Sequence, residues 1–152
     1  MQKKIIAIAL LSIPAAFADA PQSLLSMVIP SNPMAREVVN RKIDIFTDGT
    51  VMKTTVRFNR TTTELPKTEY AHITTLKSGM AEVVACMADV ETGTLTTKPS
   101  TCADDPGVHY VGVDGVKEFA VKYCDALQVV SVPCAKSMVD LLNALERVSR
   151  YQ

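Results

Sequence analysis

Residues 75–91 read TLKSGMAEVVACMADVE. Leu76, Met80, Val83, Val84, Met87 and Val90 fall on one stripe of a helix, because they recur every three or four residues. Cys86 lies three residues after Val83 and four before Val90, at the border of that stripe. The stretch therefore has an apolar face to bury and a thiol beside it. Thr74 or Thr75 offers a hydroxyl to cap the helix start. Gly93, just past its end, suits a left-handed C-cap. Gly79 falls inside, where glycine costs about 1 kcal/mol against alanine, so an irregular first turn is expected.

Working outward, a second helical stripe closes the chain. Cys134, Met138, Leu141, Leu142, Leu145 and Val148 repeat the same spacing, with Ser131 as a cap and Pro133 in the first turn. A hairpin precedes each helix. Residues 38–46 and 51–58 flank Asp48-Gly49, and Asp-Gly between β-prone runs is a strong turn signal. A two-residue loop pairs Ile45 with Met52, whereas a three-residue loop with a bulge pairs Ile45 with Val51. The choice decides which face is buried. Residues 109–113 and 116–124 flank Asp114-Gly115, with Phe119, Val121 and Tyr123 on one face and Glu118 and Lys122 on the other. Residues 59–68 read as an exposed loop, and 70–74 as a short third strand or an entry into the first helix. The fold class is α+β: antiparallel hairpins in the order ββαββα, forming a sheet packed by two helices. The two halves share only their Asp-Gly turns, which is thin support for a duplication.

The N-terminus reads as a secretory signal peptide, residues 1–18. Lys3 and Lys4 make the basic region, residues 5–13 the apolar run, and Ala16-Phe17-Ala18 the cleavage site. Cleavage leaves Asp19 first. The apolar run is about half of the roughly 20 residues that a membrane span needs. Residues 19–37 contain Pro21, Pro30 and Pro33 and read as an irregular arm. Residues 38–152 read as a single disulfide-containing domain.

Acidic and basic residues balance at 16 each, aromatics are 5% and Trp is absent. Without a basic excess or a stacking platform, nothing points to nucleic acid. No segment after the signal is long and apolar enough to span a membrane. The short signal has a bacterial style, which places the protein in the periplasm or the medium.

Cys86, Cys102, Cys124 and Cys134 contain no C-x-x-C and no close pair of the kind zinc sites use. An even count on an exported chain reads as two disulfides. Proximity in sequence favours Cys86–Cys102 with Cys124–Cys134, each closing a turn-rich stretch. The main rival is Cys86–Cys124 with Cys102–Cys134, because Cys86 and Cys134 both lie by inward stripes.

No G-x-S-x-G, H-E-x-x-H or P-loop occurs, and no cofactor motif. Residues 44–49, DIFTDG, depart from a calcium loop, with Phe46 at a ligand position and Thr55 where the bidentate Glu belongs. Asp104-Asp105, with Asp89 and Glu91, reads as solvated charge. His72 and His109 are the two histidines. Cys102 with His109 is the one nucleophile–base pair to weigh, and a half-cystine near a surface histidine is the plainer reading. The expected function is a soluble, non-catalytic binding or accessory protein that engages a protein or envelope polymer through a loop or strand edge. In an inhibitor-like version, a disulfide-held loop at 96–106 is presented to an enzyme cleft. The alternative is a small exported hydrolase or thiol-dependent enzyme using Cys102 and His109.

Overall fold

The computed structural model describes residues 21–98, 102, 104–124 and 126–152, so the signal peptide and its cleavage site lie outside the described residues. In chain order the elements are β1 (Ser23–Ile29), β2 (Glu37–Phe46), β3 (Thr50–Asn59), β4 (Lys67–Thr75), α1 (Met80–Thr92), β5 (Val108–Val111), a 3-10 turn (Val113–Gly115), β6 (Glu118–Tyr123), β7 (Ala126–Val129) and α2 (Ala135–Ser149). The seven strands make one sheet in the order β4-β3-β2-β1-β5-β6-β7, and every neighbouring pair is antiparallel. Residues from α1, α2 and the sheet build one apolar core. The α+β class holds, with β1, β4 and β7 added to the expected two hairpins.

β1 corrects the reading of 19–37 as an irregular arm. It is the middle strand, paired with β2 on one side and β5 on the other. A register shift between Ser23 and Leu25 lets Leu24 and Leu25 both go inside, which spoils the alternation that marks a strand. Pro21 precedes β1 and Pro30 follows it, so the prolines bound the strand and do not break it. Around β1 the connectivity repeats as a three-stranded meander followed by a helix: β2–β3–β4–α1 and then β5–β6–β7–α2.

The β2–β3 hairpin takes the three-residue option, pairing Ile45 with Val51. Gly49 adopts φ +84°, and its N–H donates to the Phe46 carbonyl at 2.9 Å. Its own carbonyl accepts the Leu76 N–H at 2.8 Å. A Cβ at position 49 would stand 2.6 Å from the Leu76 carbonyl oxygen, so only glycine lets this turn dock on the β4–α1 connection. In the second hairpin Asp114 and Gly115 lie in the 3-10 turn. A register shift at Tyr110/Val111 turns both Phe119 and Ala120 into the core and leaves Val121 opposite His109, so Phe119 and Val121 do not share a face.

α1 begins at Met80, after Gly79 in left-handed conformation, and Thr74 and Thr75 belong to β4 and cap nothing. Its buried side is Val83, Cys86, Met87 and Val90, while Val84 is 51% exposed. Cys86 is thus part of the stripe. Gly93 is extended, not left-handed. It must be glycine for another reason: a Cβ there would lie 2.4 Å from Val130 Cγ2. α2 starts one residue after Cys134 without a side-chain cap, and Val139 joins Met138, Leu142 and Leu145 inside.

The disulfides are Cys86–Cys134, with Cα atoms 5.8 Å apart, and Cys102–Cys124, with Cα atoms 6.6 Å apart. This is the third possible pairing. Neither Cys86–Cys102 with Cys124–Cys134 nor Cys86–Cys124 with Cys102–Cys134 is formed. Proximity in sequence weighs only loop closure. Burial of two helix stripes on one sheet face packs α1 beside α2, which brings Cys86 to the start of α2. Cys102 is left to the β6–β7 turn. Two disulfides fit a protein that folds in an oxidising compartment. Among the described residues no helix is long and apolar enough to cross a membrane.

Candidate functional site

The sequence-derived catalytic pair is built into the scaffold. Cys102 is bonded to Cys124, so its sulfur is no thiolate nucleophile. His109 Nδ1 lies 2.5 Å from Glu118 Oε2, and Nε2 lies 2.9 Å from the Pro106 carbonyl. Its ring meets Tyr123 edge-on at 6.2 Å. Both nitrogens thus fasten the segment before β5 to the sheet.

Asp105 does the same for the disulfide corner. One carboxylate oxygen accepts the Gly107 N–H at 2.9 Å, and the other accepts the Cys124 N–H. Cys124 itself has φ 49°, in the left-handed region where non-glycine residues are uncommon. The Cys124 N–H, then that of Gly107, hold the Asp105 carboxyl below the usual carboxylate value, with the positive charge of Lys122 adding a little. A depressed folded value means that its stabilisation is present above the unfolded pKa and fades as pH falls through the folded one. The Gly107 and Cys124 amide NMR shifts should therefore titrate together, with a midpoint below that of an ordinary Asp carboxylate. Asp105→Ala should abolish that acid step. A step retained in the variant would assign it elsewhere.

His72 stands on β4, exposed, with Nε2 3.1 Å from Thr75 Oγ1. β3, β2 and β1 separate β4 from His109 on β5, so the two histidines form no common site. Asp44 is buried and accepts the Ser23 and Ser26 hydroxyls at 2.8 and 2.6 Å and Lys42 Nζ at 2.8 Å. It is a polar knot joining β1 to β2, in a hairpin and not a calcium loop. Asp89 and Glu91 are carried on α1, where Glu91 uses its carbonyl to accept Lys117 Nζ at 2.5 Å. Among the described residues no three or more His, Cys, Asp or Glu cluster to hold a metal.

What remains is the contrast between the two sheet edges. β7 has four residues. The Gln128 amide accepts the Lys98 N–H at 2.5 Å and donates to its carbonyl at 3.3 Å. β4 has nine residues, and among the described residues no strand lies on its outer flank. Gln152 reaches the Ile73 carbonyl at 3.1 Å, near the far end. Tyr70 is 72% exposed, and Leu65, two residues before the strand, 85%. Arg57 of β3 lies directly across from Lys67, a like-charge pair that costs stability on a sheet. The nearest carboxylate of an ion pair to Arg57, on Glu69, is 3.9 Å away. Among the described residues Lys67 has no ion pair.

Sequence reading missed this edge. Residues 59–68 are polar, rich in Thr and carry Pro66, which mimics a loop. The signal in the sequence is the β-prone run from Tyr70 to Thr74, which the strand continues back to Lys67.

Comparison of the chain with protein-family models, with curated proteins and with solved structures finds no match.

Proposed function

We propose that the chain is an exported, non-catalytic binding module of the bacterial periplasm or medium that takes an extended segment of a protein along the outer flank of β4. The observation that carries this reading is the inequality of the edges. Sheet proteins keep edges short, charged, bulged or covered, because unpaired N–H and C=O groups recruit other strands. β7 is short, four residues, and Gln128 on it is tied to Lys98. β4 is more than twice as long, nine residues against four, and its protecting features, the charges of Lys67 and Glu69 and the register shift beside Ile73, lie toward its two ends. Strand addition draws affinity from main-chain hydrogen bonds and specificity from alternate side chains. Peptide groups are the natural complement of such an edge, which favours a protein over an envelope polymer. The Cys102–Cys124 bond and the engaged His109 nitrogens weigh against the thiol-enzyme alternative.

The test is capture from periplasmic extract and culture medium with the mature domain, Tyr70→Pro and Ala71→Pro. Amide directions alternate along an antiparallel strand, so one of these variants loses an outward N–H and the other a ladder N–H. Proline is tolerated where the N–H points out. The variant that keeps the wild-type melting temperature should lose the captured protein. Undiminished capture by that variant would move the site off β4.

A further inference from the structure

Residues 64–72 read ELPKTEYAH, and this segment is complementary to itself. Resting on the β4-edge reading above, we infer that the strand added there is β4 of a second copy, antiparallel and centred on Thr68. A twofold axis at Thr68 pairs Lys67 with Glu69 of the other copy, and the reverse. It sets Glu64 opposite His72, Pro66 opposite Tyr70, and Leu65 opposite Ala71. Lys67 and Glu69 then each meet an opposite charge, Glu64 meets a histidine, and Tyr70 meets the apolar ring of Pro66. Cross-strand pairs of opposite charge, and of aromatic with apolar groups, are the favourable ones on an antiparallel ladder.

Neighbouring registers lack this match. Centring on Glu69 puts that carboxylate against itself, and centring on Lys67 does the same with the ammonium. Centring on Tyr70 or Ala71 leaves Lys67 and Glu69 opposite uncharged residues. The Thr68 register also addresses two features that the isolated chain leaves unexplained. Lys67, set directly across from Arg57, gains a carboxylate on its other side. Leu65 and Tyr70, 85% and 72% exposed, come to lie against apolar groups of the second copy. Pro66 lacks an N–H to offer, so each end of the ladder gives up one bond at the rim. The result joins two seven-stranded sheets into one across the twofold.

Register-specific charge reversal tests this by sedimentation equilibrium, from micromolar concentrations up to about 1 mM, the weak limit of useful affinity. Lys67→Glu alone turns both cross-pairs of the dimer into carboxylate against carboxylate, and Glu69→Lys alone turns both into ammonium against ammonium. Each should weaken association about tenfold or more. Mixed in equal amounts, the two variants should form a heterodimer, because both cross-pairs become attractive again. The double variant Lys67→Glu/Glu69→Lys should dimerise like the wild type. Both positions are exposed, and melting curves check that each variant is folded. A wild type that stays monomeric throughout overturns the inference. So do single variants that associate as tightly as the wild type, or a mixture that does not recover. A monomeric wild type that still captures another protein through β4 overturns only the second-copy assignment and leaves the proposed function standing.

Discussion

Replacing Cys86 and Cys134 together by alanine is expected to cost the folded protein about 4 kcal/mol in the chain-entropy model. The two residues are 48 apart in sequence, so their bond closes a long loop in the unfolded chain. Cys86 is also buried in the core, 2% exposed, and its loss removes packed atoms as well as a constraint. For a domain of this size, that is a fall in melting temperature of roughly 12–20 °C. Loss of Cys102–Cys124, 22 apart, should cost somewhat less, about 3 kcal/mol, since a shorter loop is closed. Urea titrations of the two double variants give both values. A change within the roughly 0.5 kcal/mol of an ordinary surface substitution, for the first pair, would contradict the layer model in which this bond locks α1 to α2.

Leu142→Ala should destabilise by about 2–5 kcal/mol. Leu142 is fully buried on α2, in the cluster that joins both helices to the sheet. Truncation leaves a cavity that close-packed neighbours fill only in part. The control sits on the same helix: Val148 belongs to the stripe by spacing but is 49% exposed. Val148→Ala should stay within about 0.5 kcal/mol of the wild type. Denaturation midpoints that fail to separate the two variants would mean that α2 is rotated on the sheet.

The difference between these two residues shows where periodicity serves and where it stops. Spacing identified both helices and most of their buried sides, because burial of an apolar stripe is what fixes a surface helix. It did not say how wide each stripe is. Val84 and Val148 drift to the edge, and Cys86 moves in, because the neighbouring helix and the sheet set the width. The hairpins were legible in Asp48-Gly49 and Asp114-Gly115, since turn chemistry is local. Their registers were not, because bulges at Leu24–Leu25 and Phe119–Ala120 place two consecutive side chains in the core. β1 was hidden by such a bulge and by flanking prolines. β4 was hidden for the opposite reason: an edge strand buries little, so its sequence keeps little of the apolar alternation that reveals a strand. The disulfide pairing depended on which elements share a layer, and spacing along the chain carries no such information. The candidate site is poorly written in the sequence for the same reason, as its main feature is an uncovered row of backbone groups.

The outer flank of β4 is the centre of the functional account, and residue-resolved amide hydrogen exchange tests it most directly. Exchange is compared on dilute protein, on protein concentrated about a thousandfold, and on protein bound to whatever capture recovers. Alternation of N–H directions along an antiparallel strand predicts that every second amide of β4 slows when the edge is occupied, while those already in the ladder with β3 stay as they were. Exchange along β4 that is unchanged on occupation, with new protection on another surface, would contradict the account.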